Sequence, residues 1–186
     1  MVQGIIAGGE SALSRATETT EDDPVIGVRD LLARGFTKQD VLCGIAASGR
    51  TPYVLGAIDE ANRLGAMTIG ISCTPDSELS RRAKIGITPT PGPEVIAGST
   101  RLKAGTATKL VLNMLSTGAF IRLGYVRGNL MVNVQPKNAK LLHRAIGIIR
   151  TATGASSEEA ADALKAAGND VRAAIERLIT DNRTNG

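Results

Sequence analysis

The segment Asp40-Val41-Leu42-Cys43-Gly44-Ile45-Ala46-Ala47-Ser48-Gly49-Arg50-Thr51-Pro52 constrains the fold more than any other part of the chain. A short apolar run ends in small hydroxyl and glycine residues, and a helical pattern begins at once at Thr51-Pro52. A strand that passes through a small-residue loop into a helix is the building unit of a parallel α/β sheet. The junction is also an anion site, because the first N–H groups of a helix lack intrahelical partners and its dipole favours negative charge. In this loop Ser48 and Thr51 offer hydroxyl donors, Gly49 lets a ligand approach the backbone, and Arg50 supplies a cation. Pro52 suits the first helical position, where its missing N–H costs nothing. The expected ligand carries a phosphate. A bare strand-to-helix turn accounts less well for the hydroxyl, glycine and cation together.

The same alternation runs through the first half of the chain. Val2 to Ala7, closed by Gly8-Gly9, reads as a buried strand, and Glu10 to Ala16 as a short helix. Thr17 to Asp23 is a polar loop, and Val25 to Ala33 has helical spacing that stops at Gly35. Strands over Val41–Ala46, Met67–Cys73 and Ile85–Thr88 alternate with helices over Thr51–Leu64 and Ser77–Ala83. This spacing predicts βαβ units and a parallel sheet flanked by helices, with ligands beyond the strands' carboxyl ends. Pro89 to Gly98 is loop-like, Leu102 to Leu123 is a long helix, and Gly124 to Val134 fits neither period.

From residue 135 the character changes to an all-helical module, so two domains are expected, 1–134 and 135–186. Lys137 to Thr153 is helical. Ser156-Ser157-Glu158-Glu159 is a capping-box start for Glu158 to Ala167, and Gly168-Asn169-Asp170 turns into a helix over Val171 to Ile179. Three such helices resemble a ubiquitin-associated-type domain, and a helical cap on the main core is the simpler reading. Asn182 to Gly186 is expected to fray.

Composition removes several function classes. Aromatic residues are 2% of the chain and Trp is absent, so there is no platform on which nucleic-acid bases would stack. The net charge of +4 is spread out, which suits a small anionic ligand better than a polyanion. Cys43 and Cys73 sit inside apolar runs and give neither a disulfide framework nor zinc spacing. The single histidine, His143, has no metal or triad partner and is assigned to structure with them. No apolar run spans a bilayer and no signal peptide is recognised, so a reduced cytoplasmic setting is expected.

Four stretches resemble the N-acetylmuramic acid 6-phosphate etherases of the sugar isomerase (SIS) superfamily: Val2 to Glu10, Gly44 to Val54, Gly92 to Ala107 and Gly128 to Val134. The segment around Arg101 and Lys103 makes the resemblance specific, since SIS domains in general share only the small-residue loop. It implies a flavodoxin-like sheet and subunits that pair as homodimers. It also implies that the N-terminal third of such proteins, with their first strand and an acidic catalytic residue, lies outside this sequence. In that strand order the first strand sits between the next two, so Val2–Ala7 would lack its central neighbour.

The activity implied is cleavage of the D-lactyl ether of N-acetylmuramic acid 6-phosphate, with no metal or organic cofactor. A base removes the C2 proton, lactate leaves C3, and water adds to the unsaturated aldehyde. By resemblance Glu21 is the proton-abstracting carboxylate; from its setting alone, Thr20-Glu21-Asp22-Asp23 before Pro24 is a solvated helix-start feature. Ser48, Gly49, Arg50 and Thr51 are the expected sugar-phosphate contacts, with Ser99, Arg101 and Lys103 at the entrance of the long helix. Arg101 and Lys103 read equally well as ordinary surface charge. Glu10 and Glu94 are lesser acidic candidates. The alternatives are a non-catalytic sugar-phosphate-binding regulator related to glucokinase regulatory protein, and a remnant that needs its N-terminal half.

Overall fold

The computed structural model describes residues 2–15 and 18–184, with the side chains of Glu18 and residues 182–184 outside the description. The fraying expected at the C-terminal end therefore falls largely outside the described residues, as does Ala16 at the end of the first expected helix.

The chain divides into two compact units, residues 1–113 and 114–186. The first holds a parallel three-stranded sheet in the order β1 (Val41–Ile45), β2 (Met67–Ile71), β3 (Ile85–Ile87). β1 and β2 pair in register from Val41 opposite Met67 to Ile45 opposite Ile71. Around it lie α1 (Pro24–Ala33), α2 (Pro52–Arg63) and α3 (Glu78–Arg82). Each helix begins where its residues dictate. Asp23 accepts the Val25 N–H ahead of Pro24, and Ser77 accepts the Ser80 N–H at the start of α3. The amphipathic α2 buries Leu55 and Ile58 with Ala46, Leu79 and Ala83, while Ala57 and Ala61 join Leu31 and Ala66. Gly44 permits that packing, since a Cβ there would stand 2.9 Å from the Val54 side chain.

One expected element is missing. Residues 2–6 form no strand, and Val2 and Ile6 are exposed. Only Ile5 reaches the apolar cluster around Leu31 and Ala57. A strand is made by its neighbour's hydrogen bonds, and none of the described segments pairs with this one. Between it and β1 lies a cavity of about 660 Å³, lined by Val2, Gln3 and Ile5 on one side and by all of β1 on the other. β1 pairs only with β2 among the described residues, and Val41 is 59% and Ile45 40% exposed. Parallel sheets normally have both faces covered and their apolar strands inside. The helix expected over Glu10–Ala16 is a 3-10 helix, Gly9–Leu13, and the acidic loop holds another, Glu18–Asp22.

The long helix α4 (Lys103–Arg122) contains the division between the units. In the second unit, the stretch with no clear period is a small hairpin, β4 (Val126–Arg127) with β5 (Leu130–Met131), turned by Gly128 at φ +59°. Then come α5 (Ala139–Thr153), α6 (Ser157–Ala166) and α7 (Val171–Thr184). They enclose their own core of Val132, Ile148, Ile149, Leu164, Val171 and Ile175. The expected capping box is formed: Ser156 accepts the Glu159 N–H, and the Glu159 side chain accepts the Ser156 N–H.

Candidate functional site

At the carboxyl end of β1 the chain passes through Ala46 to Arg50 before α2 begins at Pro52. The neighbouring loop, which follows β2, ties this turn down. The Cys73 N–H donates to the Ala47 carbonyl at 2.9 Å, the Thr74 hydroxyl to the same oxygen at 3.3 Å, and the Leu79 N–H to the Gly49 carbonyl at 2.9 Å. Beneath the turn the buried hydroxyls of Ser72 and Ser77 share a 2.7 Å hydrogen bond. Gly49 rests against that pair. Its φ is +66°, and a Cβ would stand 2.3 Å from the Ser77 Cβ. Gly49 thus serves the packing of two loops, whereas the sequence suggested close approach of a ligand.

Above the turn is a cavity of about 600 Å³ whose walls include Ser48, Arg50, Thr51, Glu21, Asp22 and Thr100. The Arg50 N–H donates to the Ser48 hydroxyl oxygen at 3.3 Å. Among the described residues the Arg50 guanidinium has no ion pair. Thr51, the residue before α2, makes no side-chain capping bond, and Pro52 has no N–H. The Val54 and Leu55 N–H groups both donate to the Thr51 carbonyl at 3.1 Å, so what the cavity wall can offer a ligand is the Arg50 guanidinium with the Ser48 and Thr51 hydroxyls. Tyr53, in the first turn of α2, also reaches the wall. Its hydroxyl donates to Asp30 at 3.0 Å; burial first, then this carboxylate, pushes its pKa up to about 12, so it stays a neutral phenol.

The other expected residues are placed elsewhere. Arg101 and Lys103 line a separate groove with Leu102, Thr106 and Leu110. The Lys103 ammonium donates to the Pro93 carbonyl at 2.8 Å, and its N–H to Glu94 at 3.0 Å. Ser99 is not on the cavity wall, and its neighbour Thr100 is. Glu10 is exposed in its 3-10 helix, as is His143 on α5. Cys43 is half-buried on the wall of the β1 cavity, and burial pushes its thiol pKa up. Cys73 is half-buried with its Sγ 3.7 Å from the Ala104 carbonyl. Thr100 and the Ser72–Ser77 segment were not singled out from sequence. Ser72-Cys73-Thr74-Pro75-Asp76-Ser77 carries the same signal as the first loop, small polar residues between a strand and a helix, and so lies at the same end of the sheet.

Two known families match this arrangement of a parallel sheet flanked by helices followed by a helical unit. Residues 1–62 match a family described as the glucokinase regulatory protein N-terminal SIS domain, and residues 128–182 one described as the C-terminal lid domain of glucokinase regulatory protein. The particular homologues are N-acetylmuramic acid 6-phosphate etherases. The chain is 50% identical over 180 residues to that of Clostridium beijerinckii, covering 97% of this chain and 59% of the relative. It is 53% identical over 175 residues to that of Clostridium botulinum, covering 94% and 58%. With N-acetylmuramic acid 6-phosphate etherase 2 of Vibrio parahaemolyticus it shares 53% over 181 residues, covering 97% and 60%. The chain thus spans about three-fifths of the length of the curated relatives it matches.

Proposed function

We propose that this chain carries the sugar-phosphate site of an etherase that converts N-acetylmuramic acid 6-phosphate to N-acetylglucosamine 6-phosphate and D-lactate. The setting is cytoplasmic recycling of cell-wall amino sugars. The observation that carries the reading is the meeting of Glu21 with Ser48, Arg50 and Thr51 on one cavity of about 600 Å³, a volume that suits a small ligand. The loop and Arg50 hold the phosphate, and Glu21 faces the reacting carbons. Glu21 accepts the C2 proton of the open-chain aldehyde. The electron pair left on C2 forms the C2–C3 double bond as the C3–O bond breaks, and the departing lactate oxygen takes up a proton from solvent. Water then adds at C3, and C2 regains a proton. Holding the phosphate anchors the substrate so that the C2 proton and the carboxylate meet repeatedly in one geometry.

The test is enzymatic release of D-lactate from N-acetylmuramic acid 6-phosphate by the chain co-expressed with the portion of a Clostridium relative outside the match, alongside calorimetric titration with N-acetylglucosamine 6-phosphate. Glu21→Gln is expected to abolish release and leave sugar binding in place. Arg50→Ala is expected to weaken binding by about tenfold or more, the scale of one lost charge-assisted hydrogen bond. A folded chain that neither binds the sugar nor releases lactate would refute the reading.

Activity is proposed to need one more element, an extended apolar strand lying parallel to β1 in the adjacent cavity. The exposed edge of β1 supports this. So does the share of each relative, roughly two-fifths, that lies outside the match. Pairing of two copies is proposed as well, through the face of α4 that exposes Leu110, Met114 and Ile121 at helical spacing. The second reading, a regulator that binds another protein when loaded with a sugar phosphate, draws on the descriptions of the two matched domains. It predicts sugar binding with no lactate even when the missing strand is supplied by co-expression.

A further inference from the structure

We propose that Glu94 is a positioning residue for the cavity at the end of β1, pinning the 95–102 loop so that Thr100 stays on the cavity wall. The proposal rests on the sugar-phosphate reading of that cavity. Glu94 reaches across nine residues to α4: its Oε2 accepts the Lys103 N–H at 3.0 Å and its Oε1 the Ala104 N–H at 3.0 Å. A carboxylate from outside the helix thereby does what a capping side chain does, satisfying two of the orphan first-turn donors where the dipole favours negative charge. These backbone donors, Ala104 first and then Lys103, hold the Glu94 carboxyl below its usual pKa. Lys103 closes the ring from the other side by donating its Nζ proton to the Pro93 carbonyl at 2.8 Å. Residues 93 and 94 are thus tied to 103 and 104 by three hydrogen bonds, two of them to a charged acceptor and the third from a charged donor.

The loop between these ties has little else to hold it. Val95 is 78% and Ile96 66% exposed, and its one internal backbone bond runs from the Ser99 N–H to the Ile96 carbonyl at 3.1 Å, over Gly98 at φ +82°. A segment with so few apolar contacts takes its place from its ends. Thr100 stands three residues before the clamped Lys103, and it is the residue of this loop that lines the cavity. Glu94 is not on the cavity wall. Its influence on a bound sugar phosphate therefore passes through the loop, and a cap that served α4 alone would leave sugar affinity untouched.

The full chain, Glu94→Gln, Glu94→Ala, Thr100→Val and the Glu94→Ala/Thr100→Val double variant are titrated calorimetrically with N-acetylglucosamine 6-phosphate. Backbone amide spectra are recorded in parallel. Thr100→Val and Glu94→Ala are each expected to weaken binding about fivefold to tenfold, the scale of one hydrogen bond. Glu94→Gln, which keeps one acceptor oxygen, falls between. The double variant binds no more weakly than the worse single one, because the two residues act in series. Fully additive losses would overturn the proposal. So would wild-type affinity in Glu94→Ala after the Lys103 and Ala104 amides have lost their exchange protection. If the unsubstituted chain binds no probe, the sugar-phosphate reading fails by itself, and the clamp is judged from the Ser99 and Thr100 amide signals. These should move to averaged, loop-like positions in Glu94→Ala, and unchanged signals refute it. Should Glu94→Ala fail to fold, Glu94→Gln carries the same comparison.

Discussion

Gly49 shows how much of the site rests on a single hydrogen atom. Its left-handed φ and its 2.3 Å approach to Ser77, measured for an added Cβ, are two separate penalties on any side chain. Gly49→Ala is therefore expected to lower the thermal midpoint and to cost sugar-phosphate affinity more than tenfold, because relief of the clash moves the Ser48–Thr51 turn. Calorimetric titration and a melting curve check both. A variant with unchanged affinity would show that the turn tolerates displacement. Glu94 supplies a pH dependence. Its carboxyl titrates below the ordinary 4.5 in the folded chain, so its clamp stabilises at neutral pH. That contribution is fully present above the unfolded value and is lost as pH falls through the lower folded one. The Lys103 and Ala104 amides should thus stay protected from exchange at pH 5 and open as the solution is made more acid. Opening on the alkaline side would contradict this. Glu159 in the capping box is lowered for the same reason, by the Ser156 N–H first, and follows the same sign.

At the scale of elements, the strands and helices whose partners are near in sequence were legible from spacing. β1, β2 and β3 fall within their expected spans, and α4 lies one residue inside each end of the expected 102–123. The failure is Val2–Ala7, apolar enough to be a strand but without a neighbour to bond. The composition of a segment reports what it would bury, while its hydrogen bonds depend on what stands beside it. This yields a prediction about β1. Co-expression with the portion of a Clostridium relative outside the match is expected to protect the β1 amides from exchange and to raise lactate release. Unaltered exchange at Val41 to Ile45 would count against a strand in the cavity. In the second unit, Ser156→Ala should cost about 1 kcal/mol, the usual worth of such a cap, read as a lower denaturation midpoint. The hairpin at 126–131 went unread because its strands are two residues each, too short for a period to show.

For the whole molecule, two units with separate cores mean that substitutions in one need not be felt in the other. Ser156→Ala should leave sugar affinity unchanged, and Gly49→Ala should leave the amide signals of Ile149 and Leu164 in place. Exposed Leu110, Met114 and Ile121 carry the expectation of a dimer. Sedimentation should return twice the chain mass, and Met114→Glu should halve it. By itself the sequence determined the strand–loop–helix unit at Val41–Pro52, the presence of hydroxyls and a cation there, and the start of α6. Each is set within a few residues by local sterics, unpaired N–H groups and side-chain reach. Tertiary structure alone decided that Asp22 and Thr100, not Ser99, share a cavity wall with Glu21, Ser48 and Arg50, and that Lys103 turns to Pro93. Those outcomes join residues from different loops. The crossovers between parallel strands, and the packing of each helix on the sheet, choose which loops stand side by side.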